Sequence, residues 1–151
     1  MNSPIAKVWE FYTDTRHLEM ITPKDLNLRI VSTTSQKLTQ GSEIWIEGRI
    51  ITLFRKRWHS VITLSCHDQY KYVDEMLCGP FKKWRHLHRF SDVNDNNNIN
   101  SEKQKTKVID EIDFELPYGR IGRMFDSYAY GRLEKVFYYR KVATIEALEH
   151  S

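Results

Sequence analysis

The hydrophobic positions of this chain follow a helical period at both ends and a period of two in between. Near the start, the segment IAKVWEFY comes directly after Ser3-Pro4, which is a typical N-cap and first-turn pair of a helix. Its apolar face comprises Ile5, Val8, Trp9 and Tyr12. The segment TRHLEMI predicts a second short helix that ends before Pro23, because the residue before a proline avoids the helical region.

The period of two between Leu26 and Pro117 predicts about six antiparallel strands, rich in β-branched and aromatic residues. The predicted strands are LNLRIVS, SEIWIEGRIITLF, RWHSVITLS, QYKYVDEML, FKKWRHLHRF and TKVIDEIDFELP. The polar stretch NDNNNINSEKQ between the last two predicts a mobile loop.

Beyond Pro117 the spacing returns to that of a helix, and we expect one long helix of about 28 residues. Its expected apolar face comprises Ile121, Phe125, Tyr128, Leu133, Val136, Phe137 and Ala143. The element order predicts an α+β fold, a single domain over residues 1–151, in which a bent sheet wraps around this helix. Because one helix cannot cover the whole concave face of such a sheet, we expect a ligand cavity between them.

Composition excludes several classes of protein. Hydrophobic residues make up 40% and charged residues 28%, and the net charge of +3 is too weak to indicate a polyanionic partner. Two cysteines without framework spacing are typical of a reduced, cytoplasmic protein. No apolar run approaches the roughly 18 residues of a membrane span, and no signal peptide is evident.

The segment GPFKKWRHLHRF separates two kinds of side chain by alternation. Trp84, His86, His88 and Phe90 share one face of the predicted strand, and the cations Lys83, Arg85 and Arg89 share the other with Leu87. Burial of unpaired cations is costly, so the aromatic and imidazole face points inward. A nucleic-acid platform would need both kinds on one exposed face, so we expect no nucleic-acid partner.

Asp110 is the polar member of an otherwise apolar face on the next predicted strand. If the two strands pair, its carboxylate lies beside His86 or His88, and the outward acids of its strand lie opposite Lys83, Arg85 and Arg89. The group is open to three interpretations: a hydrogen-bonded polar patch in an apolar cavity, a general acid–base pair, or a metal site. Metal is the least favoured, because no third ligand shows a spacing of its own, and we expect no cofactor.

For several other polar residues of the predicted strands, the pattern does not decide whether the side chain points inward or outward. This group comprises Glu47, Arg49, His59, Tyr72 and Asp74. The residues that we predict to line the cavity are Trp45, Tyr72, Trp84, His86, His88, Asp110, Phe114, Phe125 and Tyr128.

The run YVDEMLCGPFKKWRHLHRF resembles the motif F-V-D-E-Q-x-x-G-P-F-x-x-W-x-H-x-H-x-F of a branch of the START-like superfamily, also called SRPBCC or Bet v 1-like. Weaker similarity covers DEIDFELPYGRIGRMF, LEKVFYYRK and SPIAKVWEFYTDTRHLEMITP. The resemblance implies a helix-grip fold, in which a hydrophobic ligand lies between the sheet and the long C-terminal helix. Members of that superfamily bind lipids, sterols, quinones or polyketides, a minority are polyketide cyclases or dehydratases, and others act through protein partners.

The chain departs from the family pattern at two points. Met76 stands where the motif has glutamine. We also expect no strand before Trp9, where the family has one, either because the start codon is miscalled or because the sheet is shortened. Without that strand, its neighbour would expose unpaired backbone groups, which favours a homodimer through the sheet edge.

Three functions therefore compete. The leading hypothesis is non-enzymatic binding of a hydrophobic or aromatic small molecule, whose polar end is oriented by the histidines and Asp110. The second is a cyclase or dehydratase in which His86 or His88 moves a proton and Asp110 fixes its tautomer; this requires a carboxylate at hydrogen-bond distance from an imidazole. The third is a protein-interaction module, which requires an exposed apolar patch.

Overall fold

The structure is a computed structural model that describes residues 1–50, 54–93 and 104–150. Two short helices, α1 (Ile5–Thr13) and α2 (Arg16–Met20), lead through a 3₁₀ turn at Lys24–Leu26 into the sheet. The strands are β1 (Arg29–Thr33), β2 (Glu43–Gly48), β3 (Lys56–Cys66), β4 (Lys71–Cys78), β5 (Lys83–Asp92) and β6 (Thr106–Glu115). A short helix α3 (Gly119–Arg123) and the long helix α4 (Asp126–Glu149) complete the order.

The six strands form one antiparallel sheet in the order β1-β2-β3-β4-β5-β6, so each strand pairs with its neighbour in sequence. Within the described ranges, the predicted α+β class and six strands are confirmed. Irregularities interrupt the register of β1 between Ile30 and Ser32, and that of β3 after His59 and after Ile62. Bulges of this kind bend the strands that carry them.

Three predicted segments differ from the structure or lie outside it. The second strand ends at Gly48 rather than continuing, because the chain turns against Leu26 and Leu28 there; a Cβ on Gly48 would lie 3.2 Å from the Leu26 carbonyl oxygen. The rest of that predicted strand includes residues 51–53, which lie outside the described residues, as does most of the asparagine-rich segment. Ser3 does not cap α1, whose N-cap position is Pro4 without a side-chain bond.

No strand precedes Trp9 in the part of the chain that the structure describes. Instead, the backbone of Met1 exchanges two hydrogen bonds with Thr106 at the start of β6, with distances of 2.8 and 2.9 Å. The Thr106 hydroxyl also donates to the Ser3 carbonyl oxygen at 2.7 Å. These contacts fix the start of α1 next to the last strand.

The prediction of one continuous C-terminal helix is wrong. The chain is helical over Gly119–Arg123, is interrupted at Met124 and Phe125, and resumes as α4, which has 24 residues. The amide of Phe125 donates to the carbonyl of Gly122 at 2.8 Å and so closes the first segment with a tight turn. Gly122 is required there, because a Cβ would collide with the Pro117 carbonyl oxygen.

The predicted apolar face of the C-terminal helix is confirmed at Leu133 and Val136 and wrong at Ile121, Phe125 and Tyr128, which are exposed. The buried residues of α4 are Ala129, Leu133, Val136, Thr144 and Leu148. Leu133 packs with Phe81 and Trp84 in one core cluster, and Leu148 packs with Val8 and Trp9 in another. The helix therefore crosses the inner face of the sheet from β5 toward α1. None of the helices in the described ranges is long and apolar enough to cross a membrane.

Candidate functional site

The alternation along β5 is as predicted. Trp84, His86, His88 and Phe90 are buried, whereas Lys83, Arg85 and Arg89 are exposed. Only 2% of His86 and 3% of His88 is accessible to solvent. The two imidazoles therefore lie in the interior, with their ring centroids 3.7 Å apart.

Two carboxylates enclose the imidazole pair, one from each neighbouring strand. Asp74 lies opposite His86 in the register of β4 and β5, and Asp110 lies opposite His88 in the register of β5 and β6. Because all four residues point to the same face, each carboxylate contacts both rings. We call Asp74, His86, His88 and Asp110 the His–Asp box.

The distances within the box are short and nearly symmetric. Asp110 Oδ1 lies 3.0 Å from His86 Nε2 and 3.0 Å from His88 Nδ1. Asp74 Oδ1 lies 3.3 Å from His86 Nδ1 and 3.4 Å from His88 Nε2. The second oxygen of Asp74 accepts a hydrogen bond from Trp84 Nε1 at 3.1 Å. Every ring nitrogen of the pair thus faces a carboxylate oxygen.

Two of these contacts, those of His86 Nδ1 with Asp74 and of His88 Nδ1 with Asp110, lack hydrogen-bond alignment. His88 Nδ1 is buried and finds no aligned partner within the described ranges, although Asp110 Oδ1 is only 3.0 Å away. His88 Nε2, in contrast, is aligned with Asp74. The orientation of the His88 ring is therefore fixed by Asp74 and less well by Asp110.

The ionisation of the box follows from burial and mutual attraction. Burial by itself would lower the pKa of His86, but hydrogen bonds and charges from Asp110 and Asp74 outweigh it and raise that pKa. Burial would likewise raise the pKa of both carboxylic acids, whereas the hydrogen bonds and charges of the imidazoles hold the pKa of Asp74 and of Asp110 well below the usual range. The carboxylates are therefore ionised at neutral pH.

The box opens into an apolar cavity of about 110 Å³ between the sheet and α4. Its walls include Leu26, Ile44, Ile46, Trp58, Ile62, Tyr72, Met76, Trp84 and Val136, together with Asp74, His86 and His88. Phe137 meets the His86 ring edge-on at 5.1 Å. The cavity is smaller than the roughly 300–1,000 Å³ of typical drug-sized ligand sites, and it fits a single ring or a short chain.

Arg140 brings a positive charge to the same cavity. It comes from the buried stripe of α4, one turn beyond Val136, and it lines the cavity together with Phe137. Its guanidinium lies 5.5 Å from the centre of the Phe137 ring, and no ion pair within the described ranges neutralises it. A cation without a carboxylate partner at the edge of an apolar cavity is the arrangement that binds an anionic group.

A wider groove of about 430 Å³ adjoins the cavity between α4 and β6. Tyr12, Phe137 and Arg140 line both spaces, so these three residues mark the boundary. Lys107 and Lys141 add two more cations to the groove, and Asp110 is its acid. With three cations against one carboxylate, the lining of the groove carries a net positive charge.

The structure brings together part of the predicted lining. Tyr72, Trp84, His86 and His88 line the cavity, and Asp110 lines the groove beside it. Tyr72 stacks on His88 with centroids 4.1 Å apart, and burial raises its pKa well above the ordinary value. Met76, at the position where the motif that this chain resembles has glutamine, also lines the cavity, so the wall carries a thioether there.

Four predicted lining residues lie elsewhere. Trp45 is on the outer face of β2, where it stacks on His59 at 4.2 Å, because its neighbours Ile44 and Ile46 take the inner face. Phe114 packs against Phe81 at 5.6 Å as part of the core at the start of α4.

Phe125 and Tyr128 are 57% and 60% exposed, because the buried stripe of α4 runs through Ala129 and Leu133 instead. With Tyr118, Ile121 and Met124 they form an exposed apolar group around α3. A protein-interaction role would rest on this group.

Asp74 and Arg140 are the site residues that sequence reasoning missed. Asp74 is two residues from Tyr72 on the same strand, so the inward prediction for Tyr72 already implied an inward Asp74. Arg140 continues the i, i+4 stripe from Val136 to Thr144. The sequence contains both spacings, but each predicts a side chain's direction only when the direction of the neighbouring residue is known.

The outer face of the same strands carries the expected ion pairs. Lys83 pairs with Asp113 at 2.5 Å and Arg89 with Glu111 at 3.2 Å across β5 and β6. Arg85 contacts Glu75 of β4 at 3.6 Å rather than an acid of β6. These pairs are solvent-exposed and contribute little stability each.

Comparisons with known proteins show the fold. No protein-family model matches the chain, and no curated protein matches it in sequence. Among solved structures, the chain is similar to TTHA0849 from Thermus thermophilus, with a TM-score of 0.70 and 12% identity over 97% of this chain and 90% of that chain. At that identity the likeness shows a shared α+β fold over almost the whole of both chains and nothing of function.

Proposed function

We propose that this chain is a START-like domain of helix-grip fold that binds a small apolar or aromatic molecule with an anionic group. The order of elements and the cavity between the sheet and α4 support the assignment to that fold. The observation that carries the function is an apolar cavity with one unneutralised cation, Arg140, at its edge.

The cavity and the groove each hold a different part of the proposed ligand. The apolar part, a single ring or short chain, occupies the 110 Å³ cavity, where burial stabilises it by about 25 cal/mol per Å² of apolar surface. The anionic part lies at the boundary, near Arg140 and in reach of Lys107 and Lys141 in the groove. A larger ligand would extend along the groove.

Matched pairs of ligands test this proposal. Binding of carboxylates such as phenylacetate and octanoate is compared by calorimetry with that of the alcohols of the same skeleton. We expect the carboxylates to bind about tenfold or more tightly, the effect of one charge-assisted hydrogen bond. Arg140→Met should remove this preference and leave alcohol binding unchanged, whereas Arg123→Met on α3 serves as the charge-matched control.

A second pair of variants tests the location. Ile46→Phe places extra volume on the cavity wall, and Trp45→Phe changes the outer face of the same strand. Only the first should weaken binding. Failure of every carboxylate and alcohol to bind, together with native mass spectra that show no small molecule on protein purified from its own host, would exclude a carrier.

A catalytic role is the second candidate. His86 Nε2 and Asp110 Oδ1 are 3.0 Å apart, within the range that general acid–base catalysis requires. A cyclase or dehydratase would return a chemically changed molecule, so the mass of a bound ligand before and after incubation distinguishes the two. A ligand released unchanged supports the carrier, and the loss of water that His86→Gln abolishes supports the enzyme.

A further inference from the structure

Three atoms of the His–Asp box converge on one point. Asp74 Oδ1, His86 Nδ1 and His88 Nε2 all lie within 4.8 Å of one another, and the oxygen is 3.3 and 3.4 Å from the two nitrogens. Ligand atoms bound to a tetrahedral Zn²⁺ at about 2.0–2.1 Å are roughly 3.3–3.4 Å apart. The two oxygen–nitrogen distances thus match the distances between ligand atoms of a tetrahedral metal site.

The number of N–H protons on the two imidazoles supports the same cation site. A neutral imidazole carries one N–H, so two rings can satisfy only two of the four nitrogen–carboxylate contacts. His86 Nε2 is hydrogen-bonded to Asp110, which leaves the unprotonated Nδ1 of a neutral His86 facing Asp74 Oδ1 at 3.3 Å. A nitrogen lone pair and a carboxylate oxygen then meet in a buried space, which is unfavourable unless a proton or a metal cation lies between them.

The groups that contact the three proposed ligand residues are of the kind found around metal sites. Metal-bound histidines commonly donate their second N–H to a carboxylate, which orients the ring. Asp110 occupies that position for both rings at once, and Trp84 Nε1 holds the second oxygen of Asp74 at 3.1 Å. His88 Nδ1 is not aligned with Asp110, so we expect the ring to reorient when a metal binds.

Charge permits a divalent cation. The box contributes two carboxylates, and Arg140 from α4 adds one positive charge to the cavity. Tyr12 and Tyr72, the other titratable groups of the cavity wall beside the box, have a raised pKa and are neutral at pH 7. With both imidazoles neutral, as metal ligation requires, the two carboxylates outweigh the charge of Arg140 and favour a cation in the box.

We propose that Asp74, His86 and His88 bind a divalent first-row transition metal such as Zn²⁺ or Fe²⁺, with Asp110 as the carboxylate that orients both imidazoles. Two imidazoles and a carboxylate favour these metals over Ca²⁺ or Mg²⁺. Because Asp74, His86 and His88 all line the cavity, a metal held by them would adjoin that cavity. The metal site goes beyond the proposed function and does not depend on it.

Cobalt titration of the untagged wild-type protein tests the site. We expect one Co²⁺ per chain, the strong visible bands of four- or five-coordinate cobalt, and their loss when Zn²⁺ displaces it. Zn²⁺ should also raise the melting temperature, because a ligand that binds only the folded state stabilises it. His88→Gln and Asp74→Asn should abolish the bands, and Asp110→Asn should weaken affinity by about 10–100-fold.

The exposed pair His67 and Asp68 provides the control, because its atoms are 3.9 Å apart on the surface. His67→Gln should leave cobalt binding unchanged. Wild-type protein that shows no bands and no thermal shift at millimolar metal would overturn the proposal. The His–Asp box would then be held together only by its own hydrogen bonds. Bands that survive in folded His88→Gln and Asp74→Asn variants would also overturn it, because the metal would lie elsewhere.

Discussion

His86 Nε2 on β5 contacts Asp110 Oδ1 on β6 at 3.0 Å, although the residue directly opposite His86 is Ile112. The contact is diagonal, so Asp110 reaches both His86 and its own cross-strand partner His88. One carboxylate therefore holds two buried imidazoles, and its loss should affect both.

Asp110→Asn should lower the free energy of unfolding by about 2 kcal/mol, because an amide replaces the charge that compensates a buried imidazole. Asp113→Asn, on the outer face of the same strand, should cost less than about 1 kcal/mol, since its pair with Lys83 is exposed. Urea denaturation with EDTA present measures both. Equal losses would show that the box contributes no more than a surface ion pair.

Asp14 should make stability depend on pH in the acid range. Hydrogen bonds from the Arg16 side chain lower the pKa of Asp14 well below its usual value, and its side chain is only 6% exposed. Because the folded-state pKa is the lower one, the contribution is fully present above about pH 4 and is lost as the pH falls toward the folded-state pKa.

The variant Asp14→Asn measures that contribution. At pH 7 it should be less stable than wild type by about 1 kcal/mol, a small value because Arg16 is largely exposed to solvent. The difference should shrink steadily below about pH 4 in chemical denaturation. A difference that stays constant from neutral pH into the acid range would contradict the assignment.

Gly79, the glycine of the GPF segment, should not tolerate a side chain. A Cβ at that position would lie 2.5 Å from Trp58 Cβ and would collide with Met76 Sδ, so Gly79→Ala should cost about 1–3 kcal/mol. Gly131→Ala is the matched control: nothing lies within 4 Å, and alanine should stabilise the interior of α4 by about 0.5–1 kcal/mol. Thermal unfolding of both variants should therefore show shifts of opposite sign.

The phase of α4 can be checked by truncation on its two sides. Leu133→Ala removes a side chain that packs with Phe81 and Trp84 and should cost about 2–5 kcal/mol. Tyr128→Ala removes an exposed ring and should change stability by less than about 0.5 kcal/mol. If Tyr128→Ala proved as damaging as Leu133→Ala, Tyr128 would lie on the buried face, as the sequence predicts.

Much of this protein is determined by local pattern. Alternation along FKKWRHLHRF decides which side chains of β5 are buried, because a strand has only two faces and cations do not stay inside unpaired. The same rule pairs Asp110 with the histidines across β6. The number of strands and the α+β class follow from the change of period along the chain.

Tertiary packing determined the side-chain directions that the hydrophobic pattern did not decide. Trp45 faces outward because Ile44 and Ile46 take the cavity side, and either choice satisfies alternation. Phe125 and Tyr128 are exposed because α4 begins only after a break at Phe125, which resets the phase of the helix on the sheet. Asp74 and Arg140 join the site from β4 and α4, and only the folded chain brings residues so distant in sequence to one cavity.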